Sequence, residues 1–307
     1  MTIKPILYTI IIVGLSPAII SERRKAMSAV KITIDSTCDL SREMIERHDL
    51  TVTPLYTILG EESFADGRDI QPDGIYDFVS KNGILPKTSA ASVEDYISVF
   101  GKYVSEGMEV VHFNISSDMS SSHQNAVIAA KEVGNVYVVD TRNLSTGSGL
   151  LVMDAVDLRE RGLGAEEIAR RVCENAPLVR ASFVVETLDY LRMGGRCSAV
   201  AMLGANLLKI RPRIEVCDGK MGMGGKYRGA YDKVLLKYTE DMLSSSDINP
   251  RRVFITHTKC DDETVRQVVE KVKSVMNFEE VYETTAGCVI TSHCGPNTLG
   301  VLFEVKK

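Results

Sequence analysis

Short apolar runs alternate along this chain with stretches whose apolar side chains recur at helical spacing, and few architectures accept that order. Residues 30–34, 50–58, 110–115 and 136–140 read as strands, although Pro54 argues against a fully paired central position for the second. Val93, Tyr96, Ile97, Phe100, Tyr103 and Val104 fall on one helical face, and Ser92 with Asp95 supplies a capping-box start. Residues 124–132, 150–161 and 165–175 read as further helices. Strand and helix in turn are the sequence form of βαβ units, whose strands lie parallel.

The later half has a different texture. A strand over 183–186 precedes a segment, 193–229, rich in Gly, Met and basic residues, with a hairpin expected at Asp218-Gly219. A strand over 253–257 is followed by a helix through Val265, Val268, Val269, Val272, Val275 and Met276. Residues 281–285, 288–291 and 300–305 read as closing strands. The expectation is an α/β chain in two parts. An N-terminal domain over 28–178 carries a mostly parallel sheet, and a C-terminal domain over 179–307 carries a mixed one. With 307 residues, 44% of them hydrophobic, there is enough chain for two cores. Ile6 to Ile20 form an apolar run too short for the ~20 residues that cross a bilayer. Arg23, Arg24 and Lys25 follow it where a signal peptide has its cleavage site. Residues 1–27 are therefore expected to be a leader or a mis-assigned start ahead of Met27, outside the fold.

Several classes of function are excluded by charge and composition. A net charge of −5, no Trp and 6% aromatic residues offer neither a basic footprint nor a stacking platform for nucleic acid. Seven cysteines, an odd number with no CxxC, argue against a disulfide framework or a zinc site and suit a reducing cytoplasm. HExxH, GxSxG and the phosphate-binding P-loop are absent, and Gly147-x-Gly149 lacks the third glycine of a dinucleotide fingerprint. Asp35 and Asp39 lack a third placed carboxylate, so no metal and no cofactor are expected.

What remains are loops of hydroxyls. Ser116, Ser117, Ser120, Ser121 and Ser122 stand between a strand and a helix, at the carboxyl end of the strand where open α/β sheets take ligands. The helix start adds unpaired N–H groups and the positive end of a dipole. Ser117, Ser120 and Ser121 thus suggest a small anion pocket; the plainer alternative is helix capping, for which one serine suffices. Thr88 and Ser89 form a second cluster, set apart from the cap at Ser92. Gly194-Gly195 place Arg196 on a tight turn, where its guanidinium could fork onto a carboxylate, or where the glycines simply end a helix. His293 and Gly295 lie in what reads as a strand-to-helix turn, and a lone histidine is more often structural. Met193, Met202, Met221 and Met223 are candidates for a compliant cavity wall. These residues leave four readings open: a binder of a small acid, a hydrolase using Ser120 with His293, a flavodoxin-like binder of a phosphate-bearing cofactor, and a ligand-free structural protein.

In order and spacing, several motifs resemble the DegV family. They are Asp35-Ser36-Thr37-Cys38-Asp39-Leu40, Thr88-Ser89, the serine loop, Glu186-Thr187-Leu188-x-Tyr190-Leu191-x-x-Gly194-Gly195-Arg196 and His293-x-Gly295-Pro296. Leu208-Lys209-Ile210-Arg211-Pro212 followed by Asp218-Gly219-Lys220 adds to them, and the likeness runs from about Val30 to the C-terminus. The resemblance implies a two-domain α/β architecture with the ligand between domains. It implies a carrier of a long-chain fatty acid that makes no covalent change itself, has no stable membrane anchor, and presents the carboxylate to a separate ATP-dependent fatty acid kinase. The acyl phosphate so made serves phospholipid synthesis. Carried over by motif, Thr88 and Ser120 would hydrogen-bond the carboxylate, His293 would lie beside the head group, and Arg196 would organise the site or face the kinase. The chain departs from the family pattern at Ala90-Ala91, which replace a Gln-Pro-Ser continuation, at Ser121-Ser122 in place of Gly-Thr, and at Arg211 in place of Lys.

Overall fold

In the computed structural model the described residues are 29–197 and 210–307; the expected leader, Met202 and Leu208-Lys209 lie outside them. The chain enters through β1 (Val30–Asp35), buried from Lys31 onward as befits a strand covered on both faces. β2 (Thr51–Thr53) pairs parallel to it, with Thr33 opposite Thr51. The single strand expected over 50–58 is two strands. Pro54 offers no N–H to a ladder, so the chain leaves the sheet there and re-forms as β3 (Tyr56–Leu59). β3 pairs antiparallel with β4 (Glu62–Ala65) and β5 (Lys87–Ser89) in a small second sheet. Between β4 and β5 lies a helix the periodicity did not show, Pro72–Asn82, with Pro at its start and Gly83 at φ 66° ending it.

The helix Val93–Ser105 begins at Ser92, whose side chain and that of Asp95 close the expected capping box. It leads into β6 (Glu109–Asn114), the helix Ser122–Val133 and β7 (Val136–Asp140). The sheet order is β2-β1-β6-β7, every pair parallel, as the alternation predicts. Then comes the helix Ser145–Glu160, in which every residue from Ser145 to Val156 is buried. A helix covered all round belongs inside a molecule. It packs on β1 and β6 on one side and on the second unit's strands on the other. A Cβ at Gly147 would sit 2.2 Å from Asn143 Oδ1, and one at Gly149 2.9 Å from Leu40 Cδ2. This glycine pair answers close packing, not a dinucleotide.

After the helix Ala165–Asn175 the second unit begins with β8 (Val179–Arg180) and β9 (Ser182–Val185), then the short helix Asp189–Gly194. β10 (Arg211–Cys217) and β11 (Lys220–Tyr227) form the expected hairpin. Its turn residues Asp218 and Gly219 have φ of 54° and 80°, the positive pair a type I′ turn requires. The helix Tyr231–Met242, β12 (Ile248–His257), the helix Asp262–Val275 and β13 (Glu280–Thr285) follow. Residues 288–291, expected as a strand, instead open the helix Cys288–Cys294, and β14 (Thr298–Val305) closes the chain. Cys288, Val289, Ile290 and Thr291 are all buried, and a short run buried on every side carries no period to tell helix from strand. The order is β11-β10-β9-β14-β12-β13 with β8 beside β14; β12 and β13 run parallel and the other pairs antiparallel, so the sheet is mixed.

One apolar cluster passes through both units, from Ile32 and Phe113 through Leu151 to Phe183, Phe254 and Leu302. A second, around Tyr238, Val268 and Phe303, fills the outer face of the later sheet. Among the described residues no helix is long and apolar enough to cross a membrane.

Candidate functional site

The site is built on the exit of β6. Asp35, at the end of β1 and fully buried, accepts hydrogen bonds from Tyr96 Oη (2.8 Å), Asn114 Nδ2 (3.1 Å) and the Ile115 N–H (3.1 Å). A buried carboxylate so supplied with donors pins the backbone where the serine loop starts. Asp39 is likewise taken up, by Ser145 Oγ and the Gly287 N–H, so neither acid is turned toward a cation.

All the serines of the loop but Ser121 are engaged with partners. Ser116 Oγ donates to the carbonyl of Gly219 at the hairpin tip, 2.7 Å away. Ser117 turns outward and donates to Asp140. Ser120 Oγ meets Ser122 Oγ at 2.9 Å and accepts from the Ser122 N–H at 3.2 Å, so capping falls to this residue. Ser121, the residue that precedes the helix, makes no side-chain cap bond and faces a cavity. Across the loop, Arg142 pairs with Asp118 at 2.6 Å and donates to the Asp218 carbonyl, while Lys220 lies 3.5 Å from Asp118. The hairpin of the second unit is thus fastened over the serine loop of the first.

His293 sits in the last turn of the helix Cys288–Cys294, so residues 292–297 form a helix-to-strand turn, the reverse of the expected order. Its Nε2 lies 2.8 Å from Thr88 Oγ1, and Nδ1 is sealed with no partner. Burial, aided by the nearby Arg196 guanidinium, pushes the imidazole down to about 4, so it is neutral at physiological pH. One ring proton must then be placed. An orphaned buried N–H is rarer than an orphaned acceptor. Nε2–H therefore donates to Thr88, which leaves the Thr88 hydroxyl proton to donate elsewhere.

The glycines of the two motifs are explained by this histidine and its neighbour. A Cβ at Gly194 would stand 2.1 Å from His293 Nδ1. Gly195, at φ 66°, ends the helix Asp189–Gly194 in the left-handed region. A Cβ at Gly295, φ 72°, would stand 2.5 Å from the Tyr190 ring. Two short helices are locked side by side through these contacts, and the turn they make releases Arg196. Its Nη1 donates to the Gly194 carbonyl at 2.8 Å, and its Nε reaches the Met119 carbonyl at 3.5 Å.

These pieces enclose a cavity of about 250 Å³. That is close to the lower end of the roughly 300–1,000 Å³ of small-molecule sites. Thr88, Ser89, Ser120, Ser121, Arg196 and His293 line it, with Ser89, Ser121 and Arg196 exposed at the rim. Leu55, Ile115, Met119, Leu144, Met221 and Ile290, all buried, form the inner wall. The structure therefore brings together six of the expected site residues. Ser117 and Gly295 do not line the cavity: the first is bonded to Asp140 and the second packs against the Tyr190 ring. Met221 is in the wall as expected, whereas Met193 is 73% exposed and Met223 lies elsewhere on β11. Leu144 and Ile290 were not anticipated; each is an ordinary apolar residue whose sequence neighbourhood carries no ligand signal.

The family model described as "Uncharacterised protein, DegV family" matches residues 29–306. Among curated proteins, a fatty acid-binding protein of Thermotoga maritima is 34% identical over 289 residues, covering 90% of this chain and 98% of its own length. Among solved structures, a fatty-acid-binding DegV family protein from Thermus thermophilus aligns with a TM-score of 0.81 at 30% identity, covering 91% of this chain and 100% of that one. A stearic acid-binding protein from Eubacterium ventriosum aligns with a TM-score of 0.80 at 31% identity, covering 90% and 98%. With a family match over residues 29–306, and relatives at 30% identity or more that share the fold over nearly the whole described chain, this protein belongs to the DegV family.

Proposed function

We propose that the chain binds one long-chain fatty acid, its tail inside the cavity and its carboxylate at the rim, and holds it for a separate ATP-dependent kinase. The observation that carries this is the polarity of a single cavity, with hydroxyls and one arginine at the open end, a buried neutral histidine beside them and hydrocarbon within. Burying each methylene contributes about 0.8 kcal/mol, so the tail supplies most of the affinity. The carboxylate then needs only a few donors, from Thr88, Ser120, Ser121 and Arg196. A rim so sparsely furnished leaves a carboxylate oxygen reachable by a second protein. The DegV relatives described as fatty-acid-binding add weight to this choice of ligand. We divide the chain at 178/179, with the ligand between the two units, and place the protein in the cytoplasm.

A Ser120–His293 hydrolase is less well supported. Such a relay needs the serine on one ring nitrogen and an orienting acid on the other. Here Nε2 pairs with Thr88, Ser120 pairs with Ser122, and Nδ1 has no partner. Calorimetric titration of lipid-stripped protein tests the assignment. A long-chain fatty acid should bind one per chain, and Thr88→Ala with Ser120→Ala should weaken it, each lost bond to a charged group being worth roughly 1.5–3 kcal/mol. Unchanged affinity in the double variant, with the fold intact by circular dichroism, would refute the head-group site. With ATP alone the chain should form no acyl phosphate; its formation without a second protein would contradict the carrier role.

A further inference from the structure

Beyond the exit of β7 lies another cavity, of about 460 Å³, which shares no lining residue with the one already described. We propose that it binds a small carboxylic acid with a short apolar body, the carboxylate held by Arg180. This site goes beyond the fatty acid reading and does not depend on it.

Its position is the first support. Open α/β sheets take ligands beyond the carboxyl ends of their strands, and β7 lies next to β6, whose exit carries the serine loop. Asp140, Arg142 and Asn143, at and after the end of β7, form one side of the cavity, and Val179, Arg180 and Val216 of the second unit form another. The volume falls within the roughly 300–1,000 Å³ of small-molecule sites.

The second support is the state of its charges. Arg180 Nη1 donates to the carbonyls of Pro177 at 2.9 Å and Val179 at 3.2 Å, which fixes the guanidinium in place. Among the described residues no carboxylate pairs with Arg180, and its Nε and Nη2 make no hydrogen bond. That open edge is a fork of two parallel N–H groups, the shape that takes a carboxylate. A fork already held by the backbone loses little freedom on binding. The other charged groups here are spent. Arg142 pairs with Asp118 at 2.6 Å and donates to the Asp218 carbonyl. Asp140 accepts from Ser117 Oγ at 2.5 Å and from the Arg142 N–H at 3.0 Å. One unpaired cation suits a single negative charge, whereas a phosphate dianion would also meet Asp140 and Asp218 in the same wall.

The third support is the rest of the wall. Ala176, Val179 and Val216 are buried, with Pro177 beside them. Cys173 and Cys217 complete it. Partial burial, with acids nearby, pushes both thiols up, so they stay uncharged, and a neutral thiol behaves as a small hydrophobe. None of these side chains is large, and the apolar surface they offer fits a short chain.

The two thiols also report on the site. Cys173 and Cys217 are exposed, whereas Cys260 is half-buried and lies outside this cavity. The test is alkylation of the whole chain by iodoacetamide, read peptide by peptide by mass spectrometry, with sodium hexanoate as the probe. Hexanoate should slow alkylation of Cys173 and Cys217 in a saturable way and leave Cys260 unchanged. Hexanamide, of the same length and uncharged, should protect at least about tenfold less well, and so should hexanoate on Arg180→Gln, the low end for a hydrogen bond to a charged group. Absence of protection by hexanoate overturns the proposal. Equal protection by hexanamide overturns it whether or not Arg180→Gln folds, and so does undiminished protection in the folded variant.

Discussion

At His293, burial beside Arg196 holds the imidazole down to about 4 against an ordinary 6.5, and this has a consequence for stability. The unfolded chain takes up the proton first, so stability should fall as pH drops from 6.5 toward 4 and then level off. His293→Gln should flatten that decline in a series of urea midpoints; an unchanged slope would mean that the ring is not buried as described. Asp39 behaves in the opposite sense. Burial pushes its carboxyl up to about 8 from an ordinary 3.8, against the opposing pull of Ser145 and the Gly287 N–H. The native state keeps this proton while the unfolded chain loses it. Stability should therefore be greatest below about 4 for this group and fall as pH rises through 8. Asp39→Asn should remove the decline, and an identical pH profile in the variant would contradict the assignment. Gly194→Ala places a methyl 2.1 Å from His293 Nδ1, so the ring must move off Thr88. Loss of fatty acid retention with little change in melting temperature is the expected result, checked by ligand titration beside a thermal scan.

Among the elements, those with a clear period were legible and those without one were not. The helix Val93–Ser105 shows its buried face and its cap in the sequence alone, and Ser92→Ala should cost about 1 kcal/mol of stability, measured by urea unfolding. The helix Cys288–Cys294 shows neither. Seven residues are too few to stand alone as a helix. This one is held from outside: Asp39 accepts the Gly287 N–H, Asp66 accepts the Cys288 N–H at 2.7 Å, and Gly295 ends it. Those acids lie more than 200 residues away in the chain, beyond any local pattern. The hairpin of β10 and β11 was readable from Asp218-Gly219, but its docking on Arg142 and Ser116 was not. Arg142→Ala should raise amide exchange at Asp218, Gly219 and Lys220 while leaving β12 and β14 protected. Equal protection at the tip in both proteins would mean that Arg142 does not fasten it.

Across the whole molecule, the parallel first sheet and the mixed second one follow from the alternation of strands and helices, which local chain chemistry sets. The cavity is a different kind of object. Its inner wall comes from Leu55, Ile115, Leu144, Met221 and Ile290, drawn from separate stretches of the chain, and of these only Met221 is a wall candidate in the sequence. Its rim was readable because hydroxyls, a glycine pair and a histidine are unusual at strand and helix ends. The buried helix Ser145–Glu160 joins the two units into one continuous interior, so the cavity has rigid walls on both sides. Whether this interior holds a fatty acid is read most directly by native mass spectrometry of freshly purified protein, followed by solvent extraction and identification of what it releases. One fatty acid per chain, lost from the Thr88→Ala, Ser120→Ala double variant, is the predicted result. A nucleotide or flavin released in its place would contradict the account.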